Sequence, residues 1–80
     1  MAAQLRELIE YVSRSLVDDP DAVTIDELGD ESHPVFELRV APDDMGKVIG
    51  RNGRMARAIR TLLSTAAAQD GRRATLEIVD

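Results

Sequence analysis

The sequence contains no cysteine and a single histidine, His33. Without cysteine the chain forms no disulfide, no thiolate metal site and no cysteine nucleophile. One histidine cannot build a metal cluster on its own, and the adjacent acids Asp43 and Asp44 do not converge on one ion. No nucleophile–base pair or carboxylate dyad is visible either. We therefore predict that the chain is not an enzyme and that it has no catalytic residues, no metal site and no cofactor.

Long apolar runs are absent as well. No run approaches the roughly 18 residues of a membrane span, and the first ten residues lack the uninterrupted apolar stretch of a signal peptide. We therefore expect a cytoplasmic protein with no membrane partner. With 80 residues, 44% of them hydrophobic and 31% charged, the chain has the length and composition of one small globular domain, which we place at residues 1–80.

The formal net charge of −5 hides an uneven distribution of charge along the chain. Residues 1–45 carry three basic and twelve acidic side chains, whereas residues 46–80 carry seven basic and three acidic ones. Between Gly46 and Arg60 there are five basic residues and no acid. Because local charge decides what a surface attracts, this segment is suited to an anionic partner although the chain as a whole is acidic.

Hydrophobic periodicity predicts three helices and three strands. Apolar residues recur at helical spacing near the start of the chain and after Gly53, and they alternate with polar residues in the strands. Proline and glycine mark the ends of several segments. In chain order we predict a helix over 3–17, a strand over 23–26, a loop over 28–34, a strand over 35–40, a helix over 42–49, a helix over 54–69 and a strand over 74–79.

This order of elements predicts an α+β fold. The first two strands are neighbours across a loop and should be antiparallel, whereas a two-helix crossover joins the second and third strands, which should be parallel. The arrangement is α-β-β-α-α-β, a three-stranded mixed sheet with three helices on one face. We expect the helix over 54–69 to bury one stripe of apolar side chains, namely Met55, Ile59, Leu62, Leu63 and Ala66.

A glycine-rich segment from Gly46 to Gly53 joins two of the predicted helices. Its glycines permit positive φ for a sharp turn and leave backbone N–H groups uncovered. The next helix begins here, and the partial positive charge at its start favours anions. Arg51 and Arg54 add positive charge from their side chains. These features are suited to holding a phosphodiester backbone, although a plain helix–helix turn also often contains glycine.

Two other phosphate-binding motifs do not match this segment. A P-loop has a lysine and then a serine or threonine after its last glycine, but Gly53 is followed by Arg54 and Met55. A dinucleotide fingerprint has the spacing G-x-G-x-x-G after a strand. The glycines here are spaced G-x-x-x-G-x-x-G and follow a predicted helix. Neither nucleotide-binding interpretation therefore survives.

The stretch from Val48 to Ile59, VIGRNGRMARAI, resembles the [V/I]-I-G-x-x-G-x-x-x-x-x-I signature of the KH domain. KH domains clamp about four nucleotides of single-stranded nucleic acid with the G-x-x-G loop. A helix and a strand before the β-α-α-β core resemble the type II arrangement. The whole chain is similar to the small stand-alone KH proteins of bacteria, the KhpA family. Tyr11 and Phe36 are its two aromatic residues, which fits poorly with folds that stack bases on aromatic platforms.

The resemblance implies roles for the residues that match the signature. The two glycines of the loop shape the clamp, the pair between them faces phosphates, and the strand over 35–40 with the loop before it forms the far wall of the groove. That loop carries Asp30 and Glu31, which disfavour phosphate. The RNA-binding residues implied in this way are Lys47, Ile49, Gly50, Arg51, Asn52, Gly53, Arg54 and Arg57.

The resemblance also implies a function and partners. We expect a non-catalytic protein that binds single-stranded RNA, with RNA-chaperone activity and a part in controlling cell-wall synthesis and cell length. Its protein partner is expected to be a second copy of itself, a larger KH-containing protein of the Jag/KhpB type, or both. The alternative is a KH-fold protein-interaction module that does not bind RNA, an interpretation favoured by the net charge and the acidic first half.

Overall fold

The computed structural model describes residues 2–79. Within this range the chain forms three α-helices, three β-strands and three single turns of 3₁₀-helix. The short turns span Pro20–Ala22, Pro42–Asp44 and Arg51–Gly53. The main elements are α1 (Ala2–Leu16), β1 (Thr24–Asp30), β2 (His33–Arg39), α2 (Met45–Ile49), α3 (Arg54–Gln69) and β3 (Thr75–Ile78).

The three strands form one mixed sheet in the order β1-β2-β3. β1 pairs with β2 antiparallel, and β2 pairs with β3 parallel, with Phe36 opposite Leu76. The predicted α-β-β-α-α-β order and the mixed sheet are confirmed. α2 and α3 form the crossover between the parallel strands. α3 therefore runs from the end of α2 back towards the end of the sheet where β2 and β3 both begin.

The loop predicted over 28–34 is wrong, because most of it is paired backbone. β1 continues to Asp30 and β2 begins at His33, which leaves a turn of two residues, Glu31 and Ser32. The Asp30 carboxylate stabilises this turn by accepting hydrogen bonds from the Ser32 hydroxyl at 2.7 Å and from the His33 N–H at 2.9 Å. These bonds, that of Ser32 foremost, lower the pKa of Asp30.

Gly29 and Pro34 are of residue types common in loops, and both lie in the hairpin as a directly opposed pair. Gly29 has φ +78°, and a β-carbon there would lie 2.7 Å from the carbonyl oxygen of His33. The glycine therefore permits a close approach of the two strands rather than ending the first one. Pro34 is buried within β2.

The hydrophobic core lies between the helices and one face of the sheet. Phe36 and Leu38 at its centre have no exposed surface, and they alternate with residues of the opposite face, as period-two strands require. The buried cluster draws on α1, α3 and all three strands, and consists of Leu5, Ile9, Val23, Ile25, Phe36, Leu38, Ile59, Leu63, Ala67 and Leu76.

The buried stripe of α3 is rotated from the predicted one. Leu62, expected in the core, is 44% exposed, whereas its neighbour Leu63 is buried. Adjacent residues of a helix lie about 100° apart, so the two leucines cannot both face the centre of the core. Two alanines missed by the prediction, Ala56 and Ala67, are buried and extend the stripe through Leu63. Their small side chains let α3 approach its neighbours closely.

We expect the two adjacent leucines of α3 to differ sharply in their contribution to stability. Leu63→Ala removes a fully buried side chain and should lower the free energy of unfolding by about 2–5 kcal/mol. Leu62→Ala, the matched control, should lower it by less than about 1 kcal/mol. Urea denaturation followed by circular dichroism measures both. Equal losses would contradict the orientation of α3 described above.

Candidate nucleic-acid interface

The segment between α2 and α3 reverses the chain within four residues. α2 ends at Ile49, and Gly50 follows with φ 74° and ψ 173°. Asn52 and Gly53 are left-handed, at φ 57° and φ 74°. Asparagine tolerates this region better than most residues, and glycine has no preference against it. The sequence Gly50-Arg51-Asn52-Gly53, hereafter the 50–53 loop, thus places glycine or asparagine at each position that needs positive φ.

The two glycines of the loop are needed for different reasons. A β-carbon on Gly50 would lie 2.7 Å from the Cβ of Met55 and 2.9 Å from its backbone nitrogen. A β-carbon on Gly53 would meet nothing within 4 Å. Gly50 is therefore required by close packing as well as by its dihedral angles, whereas Gly53 is required by its dihedral angles alone.

We expect alanine to be tolerated far worse at Gly50 than at Gly53. Gly53→Ala should cost about 1–2 kcal/mol, because it places a side chain in the left-handed region. Gly50→Ala should cost clearly more, since it adds a clash with the backbone of α3. Thermal unfolding of both variants provides the comparison, and Gly53→Asn should recover part of the loss at that position. Similar losses at the two glycines would refute this division of roles.

The loop presents backbone donors to solvent. Arg51 and Asn52 are both exposed, and within the described residues neither of their N–H groups has a hydrogen-bond acceptor. α3 begins directly after the loop, with no side-chain cap and no acid in its first turn. The positive end of a 16-residue helix therefore faces the same space as the free N–H groups. This arrangement is suited to an anion.

Three arginines around the loop are exposed and have no acidic partner in the described part of the chain. These are Arg51, Arg54 and Arg57. Arg57 also donates from Nη2 to the carbonyl oxygen of Asn52 at 3.4 Å, which holds the loop against the first turns of α3. Arg60, one turn further on, instead donates from Nε to the carbonyl oxygen of Leu76 at 3.2 Å. The uncompensated charge is therefore concentrated at the loop end of α3.

Lys47, which was also predicted to bind RNA, has acidic neighbours. Its Nζ lies 3.2 Å from Oδ2 of Asp18 and 3.4 Å from Oδ1 of Asp44. The Asp18 carboxylate, and then that of Asp44, raises the pKa of Lys47. The charge of Lys47 is consequently shared with two carboxylates, although 42% of its side chain remains exposed.

Sequence reasoning missed the part played by Asp44, which it treated only as a helix start. The residue is 2% exposed, and its carboxylate accepts hydrogen bonds from the N–H groups of Asp18 at 3.2 Å and Asp19 at 3.1 Å. Burial opposes ionisation of Asp44, but these bonds and Lys47 outweigh it and lower its pKa. Asp44 thus ties the start of α2 to the end of α1. Its partners lie 25 and 26 residues away, so no local signal could reveal them.

We expect Asp44 to make the stability of the protein depend on pH in the acid range. A carboxyl group whose pKa is lowered by folding stabilises the fold above its unfolded pKa of about 4, and this contribution is lost as the pH falls through the folded pKa. Asp44→Asn should therefore lower the urea midpoint at pH 6 and flatten its decline towards pH 3. Asp43→Asn, an exposed neighbour with the same change of charge, is the control. Parallel pH profiles for the two variants would disprove this role.

The two signature isoleucines lie in different surroundings. Ile59 is buried in the core, at 3% exposure, whereas Ile49 is 38% exposed beside the 50–53 loop. Ile49 therefore offers an apolar surface next to the backbone donors, and Val48 before it is fully buried and anchors α2. The arrangement combines a polar anion-binding turn with an adjacent aliphatic patch.

The acidic hairpin turn lies far from this loop. Thr75 at the start of β3 pairs with Val35, and the N–H of Arg73 donates to the carbonyl oxygen of Ser32 at 3.3 Å. The turn at Glu31 and Ser32 therefore lies beside the C-terminal end of α3, about 24 Å along that helix from the 50–53 loop. The acids of the turn do not reduce the positive charge at the loop.

A family of sequences described as "KhpA/KhpB, KH domain" matches residues 6–78. The chain belongs to this family. The 50–53 loop thus lies in a KH domain of the KhpA/KhpB type. The predicted resemblance to the KhpA family is confirmed.

Several similar curated proteins share the name "RNA-binding protein KhpA". "RNA-binding protein KhpA" of Borreliella burgdorferi is 53% identical over 74 residues, covering 92% of this chain and 90% of that protein. The protein of the same name from Treponema pallidum is 49% identical over 80 residues and covers all of both chains. That of Clostridium acetobutylicum is 47% identical over 75 residues, covering 94% and 100%.

One solved structure shares the fold at low sequence identity. A crystal structure of a variant of Era from Aquifex aeolicus, bound to GDP.AlF4-, superposes with a TM-score of 0.64 at 18% identity. The match covers 94% of this chain but 29% of that one. The likeness shows that the same fold occurs as one part of a larger protein.

The described residues lack both a candidate metal cluster and a membrane-spanning helix. They contain no group of three or more histidine, aspartate or glutamate side chains placed to hold a metal ion. None of their helices has the length and apolar character needed to cross a membrane.

Proposed function

We propose that this KhpA/KhpB-family domain binds single-stranded RNA without catalysing a reaction. The observation that carries the proposal is the combination at the 50–53 loop of unpartnered backbone N–H groups, the uncapped start of α3 and exposed arginines without acidic partners. A phosphodiester backbone supplies the anionic oxygens that such a site attracts. The name of the relatives, RNA-binding protein KhpA, agrees with this choice.

In the proposed mechanism the loop holds the backbone and the neighbouring surface receives the bases. The N–H groups of Arg51 and Asn52 donate to phosphate oxygens, and the two glycines keep the backbone free of side chains. Arg54 and Arg57 lie along the path of the strand on α3. Ile49 supplies apolar surface for a base. Lys47 contributes less than the arginines, because Asp18 and Asp44 share its charge.

One domain of this size offers few contacts, so binding should be weak, and because these contacts are made to phosphates it should also fall as salt rises. For single strands the logarithm of the binding constant falls by about 0.7 per phosphate contact for each tenfold rise in salt. Useful affinity then requires a second binding module linked to the first. We propose that a second copy of the chain or a larger Jag/KhpB-type partner supplies it in the cytoplasm. In the proposed function, RNA binding by this protein serves RNA-chaperone activity and the control of cell-wall synthesis and cell length.

The experiment is fluorescence anisotropy with a random-sequence single-stranded RNA at two salt concentrations. An Arg51→Asp, Asn52→Asp double variant reverses the charge of the loop and should weaken binding at least tenfold at low salt. An Arg14→Asp, Ser15→Asp variant makes the same change of charge on the exposed face of α1 and should bind within about twofold of the native protein. Circular dichroism checks that both are folded. Equal binding by both variants would place the RNA site elsewhere.

The alternative function is a KH-fold protein-interaction module without RNA binding. Tyr11 on α1 favours it, since this aromatic side chain is 74% exposed on an acidic part of the chain. The same titrations separate the two functions. Clamping of RNA should weaken steeply with salt, whereas an interface with an apolar centre should not. No binding of RNA by the native protein at low salt would favour the alternative.

A further inference from the structure

A cleft of about 410 Å³ lies at the opposite end of α3 from the 50–53 loop. Its walls come from the last turns of α3, the residues that lead into β3, and the first residue of β2. The polar side chains that line it are those of His33, Ser64, Arg72, Arg73 and Thr75. We refer to it as the Arg72 cleft.

Arg72 has buried donors that nothing in the described part of the chain satisfies. Its Nε and Nη2 atoms are shielded from solvent and have no hydrogen-bond partner there. Leaving a charged group buried without partners is costly, and burial normally comes with compensation. A guanidinium in this state beside a cleft is therefore suited to an anionic ligand that supplies the missing acceptors once the side chain turns its Nε and Nη2 atoms into the cleft.

The backbone holds Arg72 firmly in this place. The N–H of Arg72 donates to the carbonyl oxygen of Ala67 at 3.0 Å. The N–H of Gly71 donates to the carbonyl oxygen of Ala68, also at 3.0 Å. With Gly71 at φ +68°, these bonds form the Schellman motif that ends α3. The N–H of Arg73 is also fixed, by the carbonyl oxygen of Ser32 at 3.3 Å. The guanidinium therefore projects from a rigid helix end and not from a loose loop.

The polar groups of the lining can donate hydrogen bonds to an anion with several oxygens, and they do so against the acidic turn at Asp30 and Glu31 and the negative end of the α3 dipole, which lie beside the same end of α3. Among the described residues that line the cleft there is no carboxylate. His33 Nε2 lies 3.1 Å from Oγ1 of Thr75, so an imidazole and a hydroxyl already share one wall, and Ser64 adds a second hydroxyl. Asp70 is near enough for its charge to attract that of Arg72, but it satisfies neither buried nitrogen. Two arginines with hydroxyl groups suit a phosphate, which accepts hydrogen bonds from a planar guanidinium in pairs.

We infer that the Arg72 cleft is a second phosphate-binding site, separate from the 50–53 loop. α3 holds the two sites at opposite ends, roughly 24 Å apart. The phosphate belongs either to the RNA strand held by the loop or to a free phosphate compound. The first source rests on the proposed function, whereas the second does not.

The direct test is an NMR titration of the ¹⁵N-labelled native chain with inorganic phosphate, with chloride at equal ionic strength as the reference. The Arg72 side-chain Nε–H signal and the backbone signals of residues 72–75 should shift and saturate with phosphate and not with chloride. Arg72→Gln should weaken this binding at least fivefold, whereas the matched control Arg14→Gln should not alter it. Residue-resolved signals separate the cleft from the 50–53 loop, which also attracts phosphate.

A second variant tests the cleft independently in case Arg72→Gln does not fold. Ser64 is exposed on α3, so Ser64→Asp should fold, and it places a negative charge at the cleft while leaving Arg72 in position. It should abolish the saturable shifts. Shifts that do not saturate, or that persist unchanged in both cleft variants, would overturn the inference.

The source of the phosphate is found by repeating the RNA anisotropy with Arg72→Gln. If the strand reaches the cleft, affinity should fall about two- to fivefold, and the dependence of the logarithm of the binding constant on log salt should lose about 0.7, the value of one contact. If RNA binding is unchanged while the phosphate shifts are lost, a free phosphate compound is the ligand. The proposed function fails separately, when reversing the charge of the 50–53 loop leaves RNA binding intact.

Discussion

A β-carbon at position 50 would lie 2.7 Å from the Cβ of Met55, so the chain can fold back here only with glycine. Both sides of this contact are fixed by the core, because Val48 on α2 and Ala56 on α3 are buried. The loop between them has no freedom to relax by moving either helix. A turn held this tightly keeps its N–H groups aimed in one direction, which is the preorganisation that an anion site needs.

The acidic side chains near α2 and the arginines at the start of α3 are kept apart. Within the described residues, the carboxylates of Asp18 and Asp44 pair with Lys47, that of Asp44 also accepts from backbone N–H groups, and neither contacts the arginines at the start of α3. Asp44 therefore has a double effect, since it ties α1 to α2 and also reduces the availability of Lys47. The uncompensated positive charge at the loop therefore comes from arginines. The planar guanidinium of arginine pairs with phosphate oxygens better than the ammonium group of lysine does. An acidic chain can in this way present a local site for an anion.

The parts of the structure that follow from short stretches of sequence were predictable. Helical periodicity, the two-helix crossover and the G-x-x-G spacing are local signals, and they led to the element order and the 50–53 loop. The loop over 28–34 was predicted wrongly because glycine and proline are common in loops, whereas the pairing of Gly29 with Pro34 is decided by residues on both strands. The rotation of α3 depends on which side chains let it dock closely, which is why Ala56 and Ala67 displaced Leu62 from the stripe.

The surroundings of Asp44 and Arg72 depend on residues that are distant in the sequence, so sequence patterns do not reveal them. The carboxylate of Asp44 acts on backbone groups more than twenty residues away. The cleft beside the Arg72 guanidinium is formed where α3, β3 and His33 converge. Both ends of α3 thus carry anion-attracting groups that the helix itself positions, through its uncapped start and its Schellman end. Because the buried stripe of α3 fixes their separation, a strand that contacts both ends must have a minimum length. Under the proposed function, reach and backbone charge would then select the nucleic acid, and base sequence would contribute mainly at the aliphatic patch beside Ile49.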